Sequence, residues 1–447
     1  VRVIFLNRYF HPDHSATSQM LSDLAFALGG RGHRVAVITS RQRYDAPDER
    51  LAPRETVGEV EIRRVWTSRF GRRNLIGRAA DYLTFYAAAA FALWRLAREG
   101  DVIVAKTDPP MLSVIAAPLA RMRGARLVNW LQDIYPEVAE RLHPGGRLSR
   151  LAFRLLRGLR DRSLRRAAMN VALGERMAET LAGLGLGEET IRVIPNWADG
   201  ALIAPRAHAM NPLRAAWGLD GKFVAGYSGN LGRAHDYATL LDAIARVEED
   251  RVEEDRVEED RVEEDRNAPA RDGENEAGSG RAAPEIVWLF IGGGALHEAF
   301  AAEVRRRGFT SVAFQPYQPR ERLAESLSAA DAHLVSLRPE LEGLIVPSKF
   351  YGIAAAGRPA IFIGHPGGEI ARLISRRACG RCVAEGDGEG LARAVLDLAA
   401  DPAACRRMGI DARRAFEAEW DKPIAIARWE TLLREAAVQP VSARKAR

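Results

Sequence analysis

Short aliphatic and β-branched runs alternate along the chain with longer stretches whose apolar positions recur every three or four residues. Residues 1–6 (Val-Arg-Val-Ile-Phe-Leu) predict a strand. In residues 18–31, Met20, Leu21, Leu24, Ala25 and Leu28 share one helical face, and Gly32-His33 ends that helix before a strand at 35–39. Further strands are predicted at 60–66, 101–105, 127–132, 169–173 and 191–194, with helical patterns such as 113–123 between them. Pro195-Asn196-Trp197-Ala198-Asp199-Gly200 breaks the rhythm, and a polar connection runs to about residue 221. The alternation then restarts, with strands at 223–227, 286–291, 312–314, 333–336, 360–363 and 382–383 and a helix at 237–246. A βαβα rhythm implies a parallel sheet covered by helices on both faces. The predicted fold class is therefore α/β, with two doubly wound, Rossmann-like domains at 1–195 and 222–409 joined by a linker at 196–221. Ligands of such sheets bind outside the carboxyl ends of the strands. With two facing sheets, the cleft between them is the expected site.

One block does not follow the rhythm. Arg246 is followed by four copies of Val-Glu-Glu-Asp-Arg, and then by a Gly-, Ala- and Glu-rich stretch to Pro284. The repeat favours a solvated charged helix through acid–arginine pairs three and four residues apart. The stretch after it has a disordered composition. Residues 247–284 thus read as an insertion in a surface connection. The block also alters the charge. The 447 residues carry 65 Lys+Arg against 59 Asp+Glu, a net +6. Residues 246–266 hold 12 acids and 5 arginines, a local −7 that leaves +13 on the remainder. A body this basic suits an anionic partner: a phosphate-bearing ligand, an acidic membrane surface or nucleic acid.

Three cysteines, Cys379, Cys382 and Cys405, are too few for a disulfide framework and fit a reducing cytoplasm. Cys379-Gly-Arg-Cys382 has no second pair to complete a zinc site and reads as ordinary packing. The opening residues read as a strand rather than a secretion signal. The apolar stretch at 82–96 is shorter than a spanning helix needs.

Candidate chemistry lies at predicted strand ends. The loop from Asn7 to Ser18 leads from the first strand to a helix start, where backbone N–H groups meet anions. It is not GxGxxG, which removes the main support for a dinucleotide site. Gly226-Tyr227-Ser228-Gly229-Asn230-Leu231-Gly232-Arg233 closes a strand of the second half, and Gly292-Gly293-Gly294 closes another. Glycines there let backbone approach a phosphate, and Arg233 supplies a charge-assisted hydrogen bond. A third loop holds Glu340, Glu342, Gly343, Leu344, Pro347, Ser348 and Lys349 ahead of a helix. Lys349 and N–H groups suit a diphosphate, and an acid suits sugar hydroxyls.

Outside 247–284, the chain resembles the family 4 retaining glycosyltransferases of GT-B fold, and within them the bacterial enzymes that assemble surface polysaccharide (O-antigen, capsule or exopolysaccharide). The resemblance rests on Arg31-Gly32-His33-Arg34-Val35, Gln132-Asp133-Ile134-Tyr135-Pro136-Glu137, Ile194-Pro195-Asn196-Trp197-Ala198-Asp199, Gly229-Asn230-Leu231-Gly232, the Gly292-Gly293-Gly294 turn, Val346-Pro347-Ser348-Lys349-Phe350-Tyr351 and Ala356-Gly357-Arg358-Pro359. It implies a hexosyl- or N-acetylhexosaminyl-transferase. The nucleotide-sugar donor is held by the second domain through Gly229, Asn230, Arg233, Ser348 and Lys349, with backbone at 315–318 near the base. Glu342 and the Gly343-Leu344 backbone face the donor sugar, and Asp133 lies nearest the reaction with Asp13, Ser15 and Ala16 on the acceptor side. Asp133 and Glu342 are the implied catalytic acids. The resemblance further implies a C-terminal helix at about 410–435 that crosses back onto the first domain. No cofactor or metal is implied, since Arg233 and Lys349 take the place of a divalent ion at the leaving diphosphate. The acceptor is lipid-linked or saccharide.

Two basic-apolar segments extend this picture. Arg63, Arg64, Arg69, Arg72, Arg73 and Arg78 flank Trp66, Phe70, Leu75 and Ile76, and residues 149–166 carry seven arginines among leucines. Such segments suit peripheral docking on the anionic inner face of the cell membrane. Nucleic acid is not expected, because the basic residues form no recognisable module. The competing readings are a nucleotide-sugar epimerase of the same architecture and a non-catalytic nucleotide-binding or scaffold protein. The basic tail at 440–447 is expected to be disordered.

Overall fold

The computed structural model describes residues 1–13, 15–44, 46, 49–71, 75–143, 145–267 and 284–439. They form two compact units. The first comprises residues 1–197, 341–346 and the chain from 420 onward; the second comprises 198–340 and 347–419.

The first unit is built on the aliphatic runs of the N-terminal half. In chain order it holds β1 (Arg2–Leu6), α1 (Ala16–Gly30), β2 (Arg34–Ser40), β3 (Arg54–Val57), β4 (Val60–Val65), α2 (Leu75–Leu96), β5 (Val102–Ala105), α3 (Leu112–Met122), β6 (Arg126–Trp130), α4 (Glu137–Leu142), α5 (Arg147–Leu164), β7 (Met169–Ala172), α6 (Glu175–Gly183) and β8 (Ile191–Val193). The strands pair in the order β3-β4-β2-β1-β5-β6-β7-β8. All pairings are parallel except β3 with β4. The hydrophobic pattern does not predict β3, because Arg54-Glu55-Thr56-Val57 is an exposed edge strand with no apolar face. A two-residue hairpin creates it: Gly58 and Glu59 both adopt positive φ, +50° and +65°, the combination that matches strand twist.

Alternation along the strands divides the apolar side chains between two faces. Ile4, Leu6, Ala36, Ile38, Ile103 and Leu127 pack against Phe85, Ala89 and Leu93 of α2 and Leu112 and Ala116 of α3. Val3 and Phe5 on β1, Val35 and Val37 on β2, Val102 and Val104 on β5 and Trp130 on β6 turn to the opposite face, where α1 and the last helix of the chain lie.

The second unit holds α7 (Pro212–Ala216), β9 (Phe223–Asn230), α8 (Ala238–Asn267), β10 (Ile286–Gly293), α9 (His297–Arg307), β11 (Val312–Gln315), α10 (Leu323–Ser328), β12 (Ala332–Ser336), α11 (Lys349–Ala355), β13 (Ala360–Ile363), α12 (Glu369–Arg377), β14 (Gly380–Val383), α13 (Gly388–Ala400) and α14 (Pro402–Ala415). Its six strands run in the order β11-β10-β9-β12-β13-β14, all parallel. Tyr227, Trp288, Phe290, Leu334 and Ile361 face a core shared with Leu240, Ile244, Phe300, Leu391 and Val395. Each unit is thus Rossmann-like.

Two expectations change. The helix expected at 237–246 runs on through all four Val-Glu-Glu-Asp-Arg copies to Asn267, making α8 30 residues long. Its charges can pair along the helix, as Arg256 does with Glu253 at 2.8 Å. Residues 268–283 and the 440–447 tail lie outside the described residues. The single helix expected at 410–435 is instead two. After α14 the chain passes through a wide π turn, Phe416–Trp420, and restarts as α15 (Lys422–Val438). Asp421 caps the new start by accepting from the Lys422 amide. Pro423, which has no N–H, sits in its first turn, where none is needed.

α15 belongs to the first unit and packs on α1, β5 and β6. Trp429 is fully buried with its ring 4.5 Å from that of Trp130. Glu430 accepts from Arg31 at 2.8 Å and lies 2.9 Å from His33 Nε2. The Arg31-Gly32-His33 turn therefore anchors the C-terminal helix. Trp429→Ala is expected to cost about 3–5 kcal/mol of first-unit stability, read by denaturant unfolding.

Candidate active site

Parallel strands end at one edge, so loops distant in sequence meet there. In the first unit the meeting loops follow β1, β5 and β6. Lys106, the residue after β5, is 1% exposed. Its Nζ donates to the Thr17 carbonyl at 3.0 Å and stands 3.6 Å from the centre of the Trp130 ring. Burial pulls its pKa down to about 7, against the opposing charge of Asp108. The Gln132 amide donates to Thr107 Oγ1 at 3.3 Å, joining the β5 and β6 loops. Arg8 is buried between Tyr9 and Tyr82, its guanidinium 5.3 and 5.2 Å from the two ring centres.

Asp133 follows β6. Burial pushes its carboxyl up to about 6, against the lowering effect of the Thr107 hydroxyl. Its backbone bridges to Ile345, and the Ile134 amide donates to the Leu344 carbonyl at 2.9 Å. These two contacts bring Glu342, Gly343 and Leu344 beside Asp133, although the sequence assigns that loop to the second half. Gly343 has φ +73°, and a Cβ there would lie 2.5 Å from Thr180 Oγ1, so only glycine fits the turn.

Asp13, Ser15 and Ala16 stand at the entry to α1. Asp13 accepts from the Ser15 amide at 2.8 Å and from the Tyr44 amide. With both oxygens bound to backbone, Asp13 shapes the loop.

The second unit gathers a different set. Gly229 and Asn230 end β9, and Gly292 and Gly293 end β10. Gly229, Gly292 and Gly294 have φ of +116°, +125° and +134°. A Cβ on Gly292 would stand 2.5 Å from the Gly229 carbonyl oxygen, so the two turns touch through bare backbone. Arg233 is exposed just beyond. Ser348 is exposed and Lys349 half-buried at the start of α11.

Among the described residues, the Lys349 ammonium has no hydrogen-bond partner. It stands 3.7 Å from the centre of the Tyr227 ring. Burial lowers its pKa to about 7. Its charge also helps burial to hold His235 down at about 3, while the His235 ring bonds the Ser336 carbonyl at 2.7 Å. A cation without a counter-charge beside two glycine turns is prepared for an anion.

The predicted residues thus form two groups. Asp133, Glu342, Gly343 and Leu344 lie together in the first unit, which also holds Asp13, Ser15 and Ala16. Gly229, Asn230, Arg233, Ser348 and Lys349 lie in the second. Sequence reading did not single out Lys106, Arg8 and Tyr82. A lysine directly after a strand, followed by Thr-Asp-Pro-Pro, was the available signal for the first. Cys379 is buried and Cys382 exposed, and burial pushes the Cys379 thiol up to about 12.

Residues 16–197 match the glycosyl transferase 4-like domain. The chain is 26% identical over 304 residues to the probable glycosyltransferase WbjE of Pseudomonas aeruginosa, covering 68% of this chain and 67% of that one. It is 22% identical over 403 residues to the putative colanic acid biosynthesis glycosyl transferase WcaI of Escherichia coli, covering 83% and 86%. Among solved structures, sucrose-phosphate synthase from Thermosynechococcus elongatus superposes with a TM-score of 0.72 at 17% identity, covering 97% of this chain and 98% of that one. Anabaena HepE in complex with UDP and glucose superposes with a TM-score of 0.66 at 16% identity, covering 97% and 99%. The chain is a protein of GT-B fold related to the glycosyltransferases of bacterial polysaccharide assembly.

Proposed function

We propose that the chain transfers a sugar, with retention of configuration, from a nucleoside-diphosphate donor to a lipid-linked acceptor in cell-surface polysaccharide synthesis. The observation that carries this is the Lys349 ammonium, buried without a hydrogen-bond partner beside the Gly229 and Gly292 turns. A diphosphate supplies the missing counter-charge. Arg233 and Ser348 and the backbone of Gly229 and Asn230 complete its cradle, and HepE binds UDP on a related fold. Glu342, Gly343 and Leu344 meet the transferred sugar. Asp13, Ser15 and Ala16 shape the acceptor side. The reading places the protein in the cytoplasm, peripheral to the membrane that carries its acceptor.

In the reaction, the bond from the anomeric carbon to the diphosphate breaks and an acceptor oxygen takes its place. Charge builds on the leaving diphosphate, where Lys349 and Arg233 stabilise it without reorganisation. The acceptor's proton passes to Asp133, whose carboxyl titrates at about 6 and is largely ionised at neutral pH.

Incubated with donor and a lipid-diphosphate saccharide, the chain is expected to release nucleoside diphosphate and form a product with the donor's anomeric configuration, with chelator present. Release that does not depend on acceptor would sink the reading. Lys349→Ala is expected to lower turnover by roughly 10²–10³-fold. Donor binding is expected to weaken as pH rises through about 7, because the free lysine loses its proton there and the diphosphate requires it. Calorimetry across pH checks the slope, and Lys349→Arg should flatten it. Asp133→Asn is expected to reduce turnover by about 10²–10⁴-fold while leaving the donor's thermal shift intact.

A further inference from the structure

The second unit has a cavity at the edge of its sheet that the proposed donor site does not use. A cleft of about 600 Å³ is bounded by Phe223 at the start of β9, Asp331 before β12, Gly357-Arg358-Pro359 before β13 and one face of α14. These are the amino ends of the strands. The Gly229 turn lies toward the other end of β9, about 20 Å along the strand from Phe223. All of the lining belongs to the second unit. Clefts of this volume hold small organic ligands.

Close backbone contacts build its walls. Gly357 has φ +64°, and a Cβ on Gly409 would lie 2.3 Å from the Gly357 carbonyl oxygen, so α14 rests directly on the turn between α11 and β13. Arg413 locks that contact by donating to the carbonyls of Ile203 at 2.9 Å and Ala355 at 2.6 Å. Arg406 and Arg413 both line the cleft, two turns apart on α14 and within about 20° of each other around its axis. Arg358 is fixed from the strand side. Its Nη2 donates to the carbonyls of Arg206 at 2.8 Å and Ser328 at 3.0 Å.

Charge and apolar surface then define what fits. Five lining residues are Lys or Arg, and one, Asp331, is an acid. Asp331 is already committed, since its Oδ2 accepts from Arg214 at 3.2 Å and from the Val224 amide at 2.9 Å. Lys222 pairs with Glu285, Arg413 with Glu417 and Arg414 with Asp411. Among the described residues, Arg358 and Arg406 have no ion-pair partner, and the buried Arg358 Nε has no hydrogen-bond partner. Burial bears on the Arg358 charge and lowers its pKa. Two guanidiniums without a counter-charge match the charge of about −1.5 to −2 that a phosphate monoester carries at neutral pH. Pro205, Phe223, Pro284, Pro359 and Ile410 make much of the remaining wall apolar. A free phosphate would leave that wall uncovered, whereas the carbon body of an ester covers it.

We propose that this cleft is a second ligand site, which takes an organic phosphate monoester. Arg358 and Arg406 hold the phosphate, and the wall from Phe223 to Pro359 receives the body of the ester. The site is separate from the Lys349 cradle, and its occupancy does not depend on the transfer reading.

The test is calorimetric titration of the full chain with phenyl phosphate and with glucose 6-phosphate, beside inorganic phosphate and glucose. At least one ester is expected to bind about tenfold or more tightly than inorganic phosphate, and glucose is expected not to bind. Arg406→Glu is expected to weaken the ester by roughly tenfold or more. Ile410→Asp should weaken it independently. Both side chains are exposed, so circular dichroism should stay at the wild-type value. Lys349→Ala and saturating uridine diphosphate should each leave ester affinity within about twofold, because the two sites share no residue. Absence of ester binding, or affinity no greater than that of inorganic phosphate, overturns the inference. So does binding that both cleft variants leave unchanged. Binding that Lys349→Ala or uridine diphosphate abolishes overturns it as well, since the ester would then occupy the proposed donor cradle.

Discussion

Parallel pairing obliges all the strands of a sheet to release the chain at one edge, and the chemistry of this protein depends on that constraint. At the edge of the first sheet it assembles Arg8, Lys106 and Asp133 from three strands separated in sequence. At the second it sets the Gly229 and Gly292 turns in contact, with Lys349 behind them. In each unit a lysine has been taken out of water beside an aromatic ring, Trp130 or Tyr227. The two lysines nevertheless differ. Lys106 spends its ammonium on the Thr17 carbonyl and so ties α1 to the β5 loop. Lys349 has no hydrogen-bond partner among the described residues. The first holds the architecture together, and the second is the one proposed to meet a diphosphate.

Local interactions then assign loops to units. The backbone bridge of Asp133 to Ile345 draws residues 341–346 into the first unit, although the residues on either side of that loop fold with the second. A few hydrogen bonds thus decide where Glu342 sits. The C-terminal helix follows the same logic. Trp429 against Trp130, and Glu430 against Arg31 and His33, fix α15 to the first unit. The Arg31-Gly32-His33 turn supports the fold from a surface remote from the strand ends.

Much of this was legible in the chain. The strands of both halves announce themselves as β-branched runs. β3 does not, since a polar edge strand carries no period and forms only because a hairpin lays it beside β4. The residues proposed for the donor side were legible as glycine turns and a Pro-Ser-Lys at strand ends. Lys106 was harder to see, because a lone lysine in sequence is a surface residue until the fold buries it. Asp13 was visible as an acid in the right loop. Only the fold shows that its oxygens are already bound to the Ser15 and Tyr44 amides.

By itself the sequence determined the alternation of strands and helices and the two α/β halves, because hydrophobic period and turn residues are local properties. It also determined the basic surplus and the acidic repeat that conceals it. The tertiary structure alone decided three further matters: that α8 runs unbroken through that repeat, that the chain from Asp421 restarts as a helix of the first unit, and which ionisable groups lose their water. Desolvation depends on what surrounds a side chain in space, and no spacing along the chain encodes it. That is why Lys106, Lys349 and Asp133 become titratable near neutral pH.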